Sequence, residues 1–448
     1  MLLFFCPWKI ISFISFIILD YTPGRQSGHP ISGRRFPAFQ WCCIMNQTGG
    51  TQKMIYLDNG ATTFPKPECV YDAVDRFNRT AAVNAGRGAY RAAREATEMI
   101  RRVKDRLISL ADAREQAEVV FTPSVTIALN QIIWGQNWKE GMNVYISPYE
   151  HNAVSRPLEL VRQRERVNVR LLPLKEDLSV DLDETARMFR ENPPDFVCCT
   201  AISNVTGYVL PAEEVLGMAK DYGAFTVLDA AQAMGLLRIR FARMHADCIA
   251  FAGHKTLYAP FGIAGFLIRS GADLREFITG GNGIRSTCLD MPSYMPEKME
   301  SASMDTPAIA GLDASLEWLK HHDTWKTEAE LTAYLLPRLA EIPGVTVYPA
   351  PGGPERQAGV ISFNVEGFRA NEVAAILDRE AGICVRAGHH CAAYIHDFLG
   401  DEKYDGTIRV SLGAFSTKKD LDVLLKTLRS IDRAQLKGID AGILRGNC

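Results

Sequence analysis

The chain has 448 residues, 47% of them hydrophobic and 23% charged, which allows two ordinary domains with their own cores and excludes disordered, collagen-like and mini-protein classes. With 50 Lys and Arg against 52 Asp and Glu, the formal net charge is -2 and no long single-sign run offers a nucleic-acid surface, so small molecules or proteins are the expected partners. Eleven cysteines, an odd number with no C-x-x-C pair, speak against a disulfide framework, a metal site or dithiol redox chemistry and for a reducing, cytoplasmic setting.

Residues 1–53 open with the apolar Met1-Leu2-Leu3-Phe4-Phe5-Cys6 and continue from Ile10 to Leu19, interrupted by Lys9. No basic stretch precedes them, no clear small-x-small cleavage site follows, and the run is short for a membrane span. The leading reading is an over-extended start, with Met54 or Met45 as the real beginning; a targeting or anchoring segment is the alternative. From Met54 onward, strands and helices alternate, the signature of an α/β fold with a mainly parallel sheet. Buried strands are predicted at Val119-Val120-Phe121, Asn143 to Ile146, Phe196 to Cys199, Thr226-Val227-Leu228 and Cys248 to Phe251, with an amphipathic helix from Ala212 to Tyr222. The adjacent Cys198 and Cys199 read as buried strand residues. An irregular Gly/Pro/Ser-rich region covers Gly280 to Pro307, and a helix from Ile309 to Lys320 leads out of a large domain, 54–320. The rest, 321–436, alternates helices (Glu328 to Glu341, Asn371 to Ala381, Lys419 to Ile431) with strands (Gly359 to Asn364, Thr407 to Ser411), as a smaller α+β domain does. Residues 437–448 form a tail.

In an open α/β sheet, ligands sit beyond the carboxyl ends of the strands. Three such ends carry reactive groups: Asp229-Ala230-Ala231-Gln232, Ala252-Gly253-His254-Lys255 and Glu150-His151-Asn152. A carboxylate, a lysine and a histidine converging on one crevice match what pyridoxal 5'-phosphate requires. On these motifs, together with Tyr56-Leu57-Asp58-Asn59-Gly60-Ala61-Thr62-Thr63 and Val385-Arg386-Ala387-Gly388-His389-His390-Cys391-Ala392, the chain resembles the class V aminotransferase-like pyridoxal-phosphate enzymes and, within them, the cysteine desulfurase/selenocysteine lyase group. The resemblance spans about 380 residues, from Tyr56 to the helix near Ile431, with many motifs in order at matching spacings.

The resemblance implies the fold-type-I architecture of these transferases, with residues 54–75 as an N-terminal arm associated with the small domain. It makes Lys255 the Schiff-base lysine, Asp229 the partner of the pyridine nitrogen, Gln232 the partner of the phenolic oxygen and His151 the imidazole stacked on the ring. Asn204 becomes a contact to cofactor and substrate, and Ser124, Val125, Thr126 and His254 the phosphate site. The family commonly has Gly-Thr-Thr at 124–126 and Ser or Thr at Ala252, so one or two hydroxyl contacts are missing, each worth roughly 0.5–1.5 kcal/mol. Cys391 matches the sulfur-accepting cysteine of the group II desulfurases, the branch that includes those serving Suf-type iron–sulfur assembly; an ordinary aminotransferase has no use for it. Arg409 matches the clamp on the substrate carboxylate, with Arg386, His389 and Arg87 as further substrate contacts. The implied reaction converts L-cysteine to L-alanine, leaving a persulfide on Cys391 for an acceptor protein. The implied assembly is a homodimer, with neither nucleic acid nor membrane as partner. Selenocysteine lyase or another class V reaction is the enzymatic alternative, and a sulfur-relay scaffold the non-enzymatic one.

Overall fold

Short β-branched runs that are apolar on both faces favour central strands covered by helices on either side. The computed structural model describes residues 43–45, 51–86, 88–284 and 286–439, so the expectations for residues 1–42, for Arg87 and for the tail from 440 onward lie outside the described residues. An antiparallel pair, β1 (Cys43–Met45) with β2 (Thr51–Lys53), is followed by β3 (Ile55–Tyr56) and two helices, α1 (Glu68–Thr80) and α2 (Arg91–Leu110). Next come β4 (Ala117–Thr122), α3 (Val125–Trp134), β5 (Asn143–Ile146), α4 (Asn152–Glu165), β6 (Asn168–Leu171), α5 (Leu182–Glu191), β7 (Phe196–Thr200), α6 (Ala212–Lys220), β8 (Phe225–Asp229), β9 (Cys248–Ala252) and β10 (Ala264–Arg269).

These seven later strands form one sheet in the order β4-β10-β9-β8-β7-β5-β6. Pairings among β5, β6, β7, β8 and β9 are parallel, and β10 runs antiparallel to both neighbours. Alternation sends successive residues to opposite faces. Thus Cys199, Leu228 and Ile249 join one core, while Cys198, Val227 and Ala250 join the other. Both cysteines are fully buried, as their apolar run predicts. Sequence reading missed β6 and β10: Asn168–Leu171 is partly exposed at the sheet edge, and Ala264–Arg269 begins with Ala264-Gly265, a weak strand signal.

Beyond β10 the described chain has no helix or strand until α7 (Thr306–Leu319), matching the irregular region expected there. Then follow α8 (Thr324–Ala340), β11 (Val345–Tyr348), β12 (Val360–Val365), α9 (Ala370–Ala381), β13 (Ile383–Cys384), β14 (Arg386–Gly388), α10 (His396–Leu399), β15 (Thr407–Ser411) and α11 (Lys418–Arg429). An antiparallel sheet, β11-β12-β15-β14, packs against α8, α9 and α11 around its own core of Leu335, Ile361, Phe363, Leu377, Val410 and Leu424. The described residues from 43 onward form one compact unit containing both sheets. The division near residue 320 is our proposal, on the ground that the four-stranded sheet has a separate core. Among the described residues, no helix is long and apolar enough to cross a membrane.

The arm of residues 55–66 ties both sheets together. Ile55 and Tyr56 pair in parallel with Ile383 and Cys384. Further along, Thr62 Oγ1, Thr63 N–H, Thr63 Oγ1 and Lys66 Nζ all donate to one acceptor, the His254 carbonyl, at 2.7–3.3 Å.

Candidate active site

Parallel strands that end together deliver their following residues to a common rim. Glu150 and His151 follow β5, Asn204 follows β7, Asp229 closes β8, and His254 and Lys255 follow β9. The chain between β9 and Lys255 is tight. A Cβ at Gly253 would lie 2.4 Å from the Ile263 carbonyl oxygen, so only glycine fits where this turn presses on the next strand.

Lys255 has no carboxylate within ion-pair distance among the described residues. Burial pushes its amine down to about 8; the Asp229 charge opposes that, while Arg409 and Arg386 push the same way. Asp229 is 3% exposed, and its Oδ1 accepts the Ala231 N–H at 2.9 Å. Burial raises its carboxyl, with the Ala231 N–H and Lys255 acting against the rise. His151 is the N-cap of α4: its Nδ1 accepts the Ala153 N–H at 3.0 Å, which leaves any ring hydrogen on Nε2. Burial, then the Lys255 and Arg409 charges, hold this ring neutral, down to about 3.

Two other sequence-derived contacts are partly engaged within the protein. Gln232 Nε2 donates to the Gly60 carbonyl at 2.8 Å, linking the β8 rim to the arm. Ser124 caps α3, its Oγ accepting the Ile127 N–H at 3.3 Å; Val125 and Thr126 occupy the first turn, where backbone N–H groups are open to an anion. His254 has a buried Nδ1 with no hydrogen-bond partner, and burial followed by Lys255 and Lys66 drives its ring down to about 3. This orphaned nitrogen, the lysine without a counter-ion and a fully buried carboxylate fit pyridoxal phosphate, which needs an amine, a carboxylate at its ring nitrogen and donors for its phosphate.

The antiparallel sheet supplies the rest. Arg409, 2% exposed in β15, donates to Asp58 Oδ1 at 2.8 Å and to the Asn204 carbonyl at 2.9 Å; its Nε is buried and unpartnered. Arg386 lies directly across the strand pair and reaches the same Asp58 at 3.9 Å. Cys391 is exposed on the turn that follows β14. Its carbonyl accepts the Asn152 N–H at 2.6 Å, which joins the cysteine turn to the helix headed by His151. Asn204 Nδ2 donates to the His390 carbonyl at 2.7 Å, so this amide serves the turn as well as the rim. His389 is exposed, its ring set edge-on to His396 at 4.9 Å. Arg87 lies outside the described residues.

Sequence reasoning assigned no role to Asp58, Glu150 or Lys66. Asp58 was visible within the Tyr56-to-Thr63 motif, as a carboxylate ending an apolar run. Glu150 is fully buried, its Oε1 accepting both the Ser147 hydroxyl at 2.6 Å and the Thr200 N–H at 2.7 Å, and burial lifts it to about 8. Nothing in its local pattern signalled that depth. Burial likewise depresses Lys66 to about 7.

Residues 55–424 match the family model described as Aminotransferase class-V. A probable cysteine desulfurase of Halalkalibacterium halodurans is 31% identical over 396 residues, covering 86% of this chain and 95% of that protein. One of Methanothermobacter thermautotrophicus is 32% identical, covering 84% and 94%. Among solved structures, an apo cysteine desulfurase of Thermococcus onnurineus NA1 superposes with a TM-score of 0.78 at 28% identity, covering 84% of this chain and 94% of that one. The Escherichia coli cysteine desulfurase CsdA, in an S-sulfonic acid form, gives 0.72 at 25% identity, covering 88% and 97%.

Proposed function

The chain belongs to the class-V aminotransferase family, and from that premise we propose that it is a pyridoxal-phosphate-dependent cysteine desulfurase of the group II type. It takes L-cysteine, releases L-alanine and hands sulfur from Cys391 to an acceptor protein, working in the cytoplasm as a homodimer. The observation that carries this reading is the placement of an exposed cysteine on a turn bonded through Asn152 to the His151 helix, within charge-interaction range of the half-buried Lys255. Lys255, Asp229, Gln232 and His151 would hold the cofactor's ring, and Ser124, Val125, Thr126 and His254 its phosphate. When bound, the ring withdraws the electron pair left on the substrate's Cα.

The protein's own groups then divide the work. Arg409 takes the substrate carboxylate with its charged fork, with Arg386 and Arg87 beside it. Lys255, held near 8, is neutral often enough at physiological pH to take the Cα proton and to return one. Asp229 keeps a proton on the ring nitrogen by its charge. Neutral His151 offers a flat apolar face without competing for that proton. Cys391 attacks the substrate sulfur: an S–S bond forms as the Cβ–S bond breaks, so L-cysteine and the Cys391 thiol become L-alanine and a Cys391 persulfide.

Incubating the full chain with pyridoxal phosphate, a reductant and L-cysteine, and counting alanine and sulfide in the same samples, tests this. Equal amounts, lost in Cys391→Ala with the cofactor still bound, support it. Alanine formed undiminished by Cys391→Ala would sink the sulfur-capture step.

A further inference from the structure

Behind the Cys391 turn lies a buried pair with no part in the chemistry above. His396 opens α10, and its Nδ1 lies 2.6 Å from Asp401 Oδ2, the two side chains being 5% and 1% exposed. The other ring nitrogen, Nε2, is 3.0 Å from the His389 carbonyl. A carbonyl only accepts, so Nε2 carries hydrogen and donates. One proton also lies between Nδ1 and the Asp401 carboxyl, so the ring is bonded from both sides and cannot turn without breaking a buried contact.

The turn in front of it needs holding. His390 and Cys391 are consecutive residues at φ +49° and +57°, the left-handed region that costs energy for any side chain but glycine. Three successive carbonyls are gripped by donors from outside the turn: His389 by His396, beside the turn's own Ala392 N–H at 3.0 Å, His390 by the Asn204 amide at 2.7 Å, and Cys391 by the Asn152 N–H at 2.6 Å. The His390 ring is itself fixed, its Nε2 donating toward the Thr407 carbonyl at 3.0 Å. Asn204 and Asn152 approach from the seven-stranded sheet. The grip from the Cys391 side of the molecule is His396 with Asp401.

We propose that His396 and Asp401 are a positioning pair: they fix the His389 carbonyl and thereby hold the strained turn that presents the Cys391 thiol to the substrate sulfur. Neither side chain is asked to touch substrate, and the inference rests on the desulfurase reading. Two disruptive variants, His396→Leu and Asp401→Ala, remove the grip. Two conservative ones, His396→Gln and Asp401→Asn, keep a polar group able to hold the carbonyl or Nδ1. In the holoenzyme, kcat for alanine formation is expected to fall about tenfold in the first two, the effect of one lost buried hydrogen bond, with KM for L-cysteine and the cofactor's visible absorbance unchanged. The conservative variants should recover to within about threefold. Hydrogen exchange of peptides spanning 386–397 should accelerate in the disruptive variants and nowhere else.

Unchanged exchange in those peptides overturns the proposal, and so does accelerated exchange with kcat intact. Exchange that rises throughout the protein, with KM and cofactor occupancy moving together, means general loosening and overturns it too. The exchange measurement needs no turnover. If it responds as expected while the wild-type chain makes no alanine from L-cysteine, the desulfurase reading falls and the grip on the turn stands.

Discussion

The two sheets present their chemistry in different ways. On the seven-stranded sheet, His151, Asn204, Asp229 and Lys255 stand at or just beyond the carboxyl ends of neighbouring parallel strands, so the ladder itself spaces them. The antiparallel sheet instead offers Arg409 from mid-strand and Cys391 from a left-handed turn, both held by polar contacts to Asp58, Asn152 and Asn204, outside that sheet. Strand order spaces the first group, and hydrogen bonds to groups outside its own sheet hold the second. Damage to the first should therefore remove chemistry outright, and damage to the second should degrade alignment.

The sharpest test is Lys255→Ala. Alanine formation should drop by about 10³-fold or more, the range for losing a positioned acid–base group. Because a buried amine without a counter-ion is destabilising, the melting temperature of the cofactor-free protein should rise in the same variant. Retained turnover would break the comparison at its root.

Arg409→Lys comes next. A lysine cannot reach Asp58, the Asn204 carbonyl and a substrate carboxylate with one planar fork, so kcat/KM for L-cysteine should fall roughly 10- to 100-fold, mainly through KM. Cofactor absorbance should stay as in wild type. A parallel loss of cofactor in titrations would show that the two groups are not separable.

Two buried carboxyls sharpen the contrast through pH. Glu150, under the rim, and Glu328, in α8 and bonded by the Gly359 N–H, are each lifted to about 8 by burial. A folded value above the unfolded one means the native state holds more protons, so the stabilisation is complete below about 4.5 and is lost as pH rises through 8. Melting temperature should therefore fall between pH 5 and 8.5, and Glu150→Gln and Glu328→Gln should each flatten the fall. Only Glu150→Gln, whose carboxyl holds Ser147 and also Thr200, the β7 residue paired with Asp229, should also move the cofactor's absorbance. Identical spectra in both variants would contradict that division.

The smallest effect is a gain. Val125→Thr adds a hydroxyl at the first turn of α3 and should tighten pyridoxal-phosphate binding by roughly two- to tenfold, the worth of one neutral hydrogen bond, measured by equilibrium titration of the cofactor-free protein.

The same contrast explains what could be read from the sequence. Central strands were legible because two-sided burial leaves unbroken apolar runs: Asn143–Ile146 is observed as read, and Thr226-Val227-Leu228 gains one residue at each end. Polar residues right after such runs, such as Asp229 and Lys255, could be singled out before any fold was known. The edge strand Asn168–Leu171 carried no such signal, its residues being partly solvated. Nor could local pattern reveal that Asp58 lies on Arg409 or that Asp401 meets His396, since each depends on where distant backbone happens to pass. The resemblance named Cys391; the left-handed backbone that shapes its turn could not be read from the residue types, since histidine only tolerates that region better than most and Cys391 does not favour it.

The arm has a consequence for when the protein becomes competent. Its partners, Cys384, Arg409 and Ser411, come more than 300 residues later in synthesis, and these contacts close the largest loops in the described chain. Loop closure over such separations is slow and gains nothing until both ends exist. A ribosome-bound chain can complete its seven-stranded sheet by residue 269 while Asp58 and Gly60 still wait for β15. The site is thereby kept in two halves until residue 411 has been made: the half-made protein can fold its larger sheet, yet the turn of Cys391 and the β15 arginine that are to face it do not exist.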